Sequence, residues 1–164
     1  MNIDKEEEKS FLERQIVVFN LANEEFGVDI SEVKEIIKLE DIMKIPDTEE
    51  YIDGIINLRG KIIVIVSLAK KLNLEAREQN KDTRIIVIEM LGNEIGMIVD
   101  SCNEVLRVNG NIAKTPDIIT SRIPTNYFEG VAMPGGRTII LLDLTKILID
   151  KEIEHIAKIS NNAG

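Results

Sequence analysis

Residues 54–72 read GIINLRGKIIVIVSLAKKL, and residues 130–148 read GVAMPGGRTIILLDLTKIL. Laid over one another without a gap, they are identical at six of 19 positions: Gly54/Gly130, Gly60/Gly136, Ile63/Ile139, Leu68/Leu144, Lys70/Lys146 and Leu72/Leu148. Lys61 and Arg137 match in charge. Each copy has two apolar runs around a glycine-bearing turn, then Ser67 or Asp143 placed to N-cap a short helical turn. A second match lies upstream, where 17–37 overlays 86–106 and brings Gly27 onto Gly96, Ile30 onto Val99 and Glu35 onto Glu104. Two ungapped matches in one order read as a duplication. Each half holds a hairpin, a crossing segment, a proline-bearing loop (Pro46; Pro116 and Pro124), then Tyr51 or Tyr127, a second hairpin and a one-turn helix.

The composition says what such halves are made of. The chain of 164 residues has 29 Ile and 11 Val, and no Trp, so β-branched aliphatics must fill the interior. Strands are expected at 15–21, 26–30, 55–58, 61–66, 84–90, 94–100, 130–133 and 137–142, joined as antiparallel hairpins by tight turns. Runs such as 62–66 and 138–142 are apolar without alternation, which suits strands covered on both faces or curled in a small barrel. Ser31 could cap a helix over 32–38, although Ile36-Ile37 suits a strand equally. Ile149, Ile153 and Ile156 mark a C-terminal amphipathic helix, about 144–158. The expected architecture is all-β with a few short helices: two tandem five-stranded antiparallel barrels over 14–158. Subdomain 1 covers about 14–80 and subdomain 2 about 81–148, divided at the polar stretch 75–83. An acidic tail, 1–13, and residues 160–164 are expected to be frayed.

Chemistry is hard to assemble from these residues. His155 is the sole histidine and Cys102 the sole cysteine, so neither a nucleophile–base pair nor a zinc set can be built. Cys102 occupies the repeat position of Val33 and reads as a small buried hydrophobe. No Walker loop or GxGxxG is present, and no cofactor is expected. The balance of 20 Lys plus Arg against 29 Asp plus Glu, net charge −9, opposes a nucleic-acid backbone as partner. No apolar run is long enough to span a bilayer, and the polar N-terminus lacks a secretory signal, so a cytoplasmic protein is expected. Not an enzyme, then, but a binding surface. Arg59 stands out, at a hairpin tip between two very apolar strands, where a planar multi-donor cation suits bridging protein partners.

Four blocks in order carry a resemblance: VVFNLANEEFGVDISEVKEI; IP…Y…GIINLRGKIIVIVSLAKKL; TRIIVIEMLGNEIGMIVDSCNEVL; and YFEGVAMPGGRTIILLDLTKIL. From about residue 15 to 148 the chain resembles the bacterial chemotaxis coupling (CheW) family, most specifically through NLRG with Gly54, supported by 96–100. That resemblance implies two packed SH3-like barrels and a non-catalytic adaptor. Such an adaptor links chemoreceptor cytoplasmic tips to the regulatory domain of the histidine kinase CheA in membrane-associated arrays. It implies partner-binding roles for Val33, Glu35, Gly54 and Arg59, and a monomer in isolation. Phe26 stands where the family often has Tyr, and Ser67 where Asp is common. A CheV-type protein would add a receiver domain and CheA its kinase domains, so a stand-alone coupling protein is preferred. The alternatives are a small-ligand or oligonucleotide-binding barrel, or the same adaptor role in a non-motility array.

Overall fold

The turn at Arg59-Gly60 shows how the sequence builds the fold. Leu58 pairs with Lys61 across it, and Arg59 and Gly60 have φ of 52° and 84°. Positive φ at both central residues is the type I′ geometry that matches strand twist. Ala22-Asn23 and Leu91-Gly92 repeat it. The computed structural model describes residues 14–108 and 125–163, and in it ten strands form two five-stranded sheets. In chain order the strands are β1 Arg14–Leu21, β2 Glu24–Asp29, β3 Glu35–Lys38, β4 Ile52–Leu58, β5 Lys61–Ser67, β6 Arg84–Met90, β7 Asn93–Val99, β8 Ser101–Val108, β9 Phe128–Ala132 and β10 Ile139–Leu142. Helix α1, Leu68–Lys71, is capped by Ser67, whose Oγ accepts the Lys70 N–H at 3.2 Å; α2 is Asp150–Ala163.

Sheet A runs β8-β1-β2-β10-β9 and sheet B runs β3-β6-β7-β5-β4. Replacing each strand by its repeat mate turns one order into the other. The register agrees as well: Gly27 pairs with Leu141 and Gly96 with Ile65, while Glu104 pairs with Val18 and Glu35 with Val87. The duplication is thus written into the pairing, but the halves do not close separate barrels. The expected division near residue 80 separates the repeats and not the sheets, because β2–β10 and β5–β7 pair in parallel and carry each hairpin onto the other half. These parallel pairs also correct the purely antiparallel expectation.

The non-alternating apolar runs now have their reason. Ile16, Val18, Ile139 and Leu141 fill the interior of the first barrel; Ile56, Ile63, Ile65, Ile85 and Val87 fill the second. The residues between them, Val17, Phe19, Val64, Val66, Ile86 and Ile88, face the other barrel in a shared central core. Both faces of these strands are buried. Gly96 is one point where the interior tolerates no side chain, since a Cβ would stand 2.6 Å from Ile65 and 2.8 Å from Ile85.

Two edge strands, β3 and β8, answer to the crossing segments, so the helical option at 32–38 falls away. There Asp29 caps a 3-10 turn, Ile30–Glu32, and Ile36-Ile37 lie in strand. Toward the C-terminus the expected helix divides: a 3-10 turn, Leu144–Lys146, is capped by Asp143, and α2 runs on through Ala163 rather than fraying at 160. Ile153 and Ile156 are buried, but Ile149, preceding α2, is 62% exposed. Tail 1–13 and the loop holding Pro116 and Pro124 lie outside the described residues. No helix among the described residues is long and apolar enough to cross a membrane.

Candidate functional site

The type I′ turn is held by Asn57, whose Oδ1 accepts the Gly60 N–H at 2.9 Å. A stiff tip projects Arg59, 69% exposed, and its Nη2 donates to Glu35 Oε1 at 2.5 Å. Glu35 opens β3, at the opposite edge of sheet B from β4. The ion pair therefore joins the two edges on the outside, where neither group is deeply desolvated. Beside it Glu94 gathers Lys34 and Lys61, the latter at 3.3 Å, and Lys34 first and then Lys61 hold its carboxyl below the usual range. The rim is thus a charged strip in which Arg59, Lys34 and Lys61 alternate with Glu35, Glu94 and Glu89.

Gly54 does a different job. Met43 bridges to Ile55 by two backbone hydrogen bonds of 2.9 Å, laying the segment after β3 along β4. Gly54 has φ of 148°, and a Cβ there would meet the Met43 carbonyl oxygen at 2.2 Å. Buried and without a side chain to offer, it serves closure of sheet B. The Met43 backbone occupies the space a side chain would need, which accounts for glycine at position 54 on architectural grounds.

Val33 stands two residues before Glu35 on an open groove of about 400 Å³ between the repeats. One wall is Ser31, Glu32, Val33 and Lys34; the others are Ile88 to Met90 and Leu144 with Thr145. Val33 also packs on the central core. The structure thus brings Glu35 and Arg59 together, places Val33 on the adjoining groove, and puts Gly54 underneath.

Arg137 was legible only as a charge match to Lys61. In the structure it holds Glu25 at 2.6 and 3.2 Å and Glu104 at 2.7 Å, doing on sheet A what Lys61 and Arg59 share on sheet B. Alignment of Glu35 with Glu104 was the signal that could have found it. Cys102 is half-buried against the central core, and burial pushes its thiol up, as a packing residue requires. His155 is on α2 with Nε2 2.8 Å from Glu49 Oε2, away from the groove. Among the described residues no cluster of His, Cys, Asp or Glu has the arrangement of a metal site.

With this geometry in view, comparison with known proteins is direct. A family model, the CheW-like domain, matches residues 15–152. The chain belongs to that family. It is 33% identical over 149 residues to a chemotaxis protein CheW of Treponema pallidum, covering 88% of each chain. To that of Bacillus subtilis it is 32% identical over 144 residues, covering 87% of this chain and 91% of the other. The crystal structure of the scaffolding protein TtCheW from Thermoanaerobacter tengcongensis superposes with a TM-score of 0.74 at 42% identity, covering 84% of this chain and 89% of that one. The two barrels are therefore SH3-like, as the sequence resemblance implied.

Proposed function

We propose that this CheW-like protein is a non-catalytic adaptor in a chemotaxis array, holding chemoreceptor cytoplasmic tips and a CheA-type histidine kinase together. The observation that carries the reading is Arg59. It is an exposed guanidinium on a rigid turn, oriented by Glu35, with donors left over for a protein partner. The rim of Glu35 and Arg59 takes the kinase regulatory domain. The groove beside Val33, with Ile88, Met90 and Leu144 behind it, takes apolar side chains of a receptor tip. The protein works as a cytoplasmic monomer recruited to membrane-associated receptors. Barrel interiors filled by isoleucine and valine speak against the small-ligand alternative.

The test is calorimetric titration of the purified protein with a receptor-tip fragment and, separately, with a kinase regulatory domain. Saturable binding to both, at sites that do not compete, is expected. Binding to neither, or saturable micromolar nucleotide binding, overturns the reading.

A further inference from the structure

Glu32 ends the 3-10 turn Ile30–Glu32 and immediately precedes Val33. Its Oε2 is buried and meets no donor. What the carboxyl does meet is another carboxyl, that of Asp143, with Glu129 and Asp29 farther out. Nearby cations are engaged elsewhere. Arg14 is shared between Asp29, at 3.0 Å, and Glu129. Lys146 sits 3.8 Å from Asp143. On the groove side Lys34 turns to Glu94 and, at 4.0 Å, to Glu89. Glu32 is left facing negative charge from three elements.

Two adjoining carboxyls repel when both are ionised, so one of them keeps its proton to higher pH, and the environment decides which. Burial acts to raise Asp143, but Thr145 outweighs it: its hydroxyl and N–H donate to Asp143 Oδ1 at 2.5 and 3.0 Å, keeping Asp143 below the usual range. Burial first, and then Asp143, push Glu32 up to about 7. When the pair holds one proton, these surroundings favour its being on Glu32. The contact also crosses the groove, since Glu32 lies on the Val33 wall while Asp143 caps the turn that supplies Leu144 and Thr145 to the facing wall.

We propose that Glu32 is a proton-controlled latch across the groove, tying the turn that carries Val33 to the cap of the 144–146 turn when protonated and releasing it when ionised. Protonated, Glu32 donates to Asp143; ionised, it repels Asp143 and the walls part. A carboxyl raised in the folded state contributes stability that is full below its ordinary value of 4.5 and lost as pH rises through about 7. The consequence for receptor binding rests on the groove reading above. The latch itself does not.

The experiment uses the full chain without partners, so failure of the latch and failure of the groove reading are separately visible. Carbon-detected NMR follows the Glu32 carboxyl, assigned through its own side-chain resonances. Hydrogen exchange is followed at the Val33 and Lys34 amides, which donate to Ile30 and Val87 oxygens at 3.1 and 2.8 Å. Glu32 should titrate with a midpoint near 7. Protection of the two amides, corrected for intrinsic rates, should fall at least about threefold between pH 6 and pH 8. In Glu32→Gln, whose amide donates at any pH, protection should stay constant. A midpoint below pH 5.5, equal protection at both pH values in the wild type, or pH dependence surviving in Glu32→Gln would overturn the latch. If Glu32→Gln does not fold, the wild-type midpoint and protection decide alone.

Discussion

Arg59 and Gly54 belong to one hairpin, yet the physics of the two positions differs. Arg59 is exposed, in a left-handed conformation that Ala or Lys would hold at similar strain, and an exposed ion pair contributes under about 1 kcal/mol to folding. Arg59→Ala should therefore leave Tm nearly unchanged while weakening binding of the kinase regulatory domain at least about tenfold, or 1.4 kcal/mol. Arg59→Lys should restore only part of this, because an ammonium lacks the planar fork. Calorimetry and a thermal melt on the same samples check both halves; unfolding by Arg59→Ala would make it a structural anchor instead. Gly54→Ala acts in the other direction. Its methyl would collide with backbone, which cannot give as a side-chain end can, and φ is positive as well. A loss of about 3 kcal/mol is expected, a fall of roughly 6–12 °C in Tm for a chain of this size. A Gly54 variant that keeps wild-type Tm would show that the 42–43 segment yields.

At the scale of elements, α2 shows how a surface helix is fastened. Ile153 and Ile156 bury its apolar side, and Glu152 accepts from the Ile149 N–H at 3.0 Å and from Lys71 Nζ at 2.8 Å. Lys71 also lies 4.6 Å from the Tyr51 ring centroid. Burial acts to raise Glu152, but Lys71 and the Ile149 N–H outweigh it and hold the carboxyl below its usual range. A depressed carboxyl contributes stability above its unfolded value, near 4.5, and loses it as pH falls through the folded value. Glu152→Gln should thus cost about 1 kcal/mol at pH 7 and almost nothing near pH 3, read from urea midpoints at the two pH values. An equal cost at both would assign Glu152 a packing role. The same elements show what sequence can carry. Hairpins with their glycines, the Ser67 and Asp143 caps and the Ile stripe of α2 are local signals, and they were legible. β3 and β8 were not, because edge strands with alternating exposure resemble helix or loop until a partner strand is known. For the same reason Arg59 was legible as a tip, whereas its pairing with Glu35 and the Glu32–Asp143 contact required long-range closure.

On the scale of the whole molecule, the repeats interlock. Apart from the four hairpins, every pairing between the named strands joins one half of the sequence to the other: β1 with β8, β2 with β10, β3 with β6 and β5 with β7. The central core likewise draws on both halves, with Phe19, Phe26 and Val64 meeting Ile86, Met97 and Leu142. Duplication of a small unit has thus produced one cooperative body with matching rims, one presenting Arg59 and the other locking Arg137 between two glutamates. A fragment of residues 1–80 would retain two hairpins with their long-range partners missing and an apolar face in water; isolated hairpins are marginal in water. Neither 1–80 nor 81–164 should fold alone, and each should lack a cooperative thermal transition by circular dichroism. Mixed at equal concentration, the two should recover the strand signal and elute together at the mass of the intact chain, because the buried interface between them is the core itself. Cooperative unfolding of either fragment alone would mean that a half can close its own barrel, as the sequence-order division first implied, and that the exchanged pairings are dispensable.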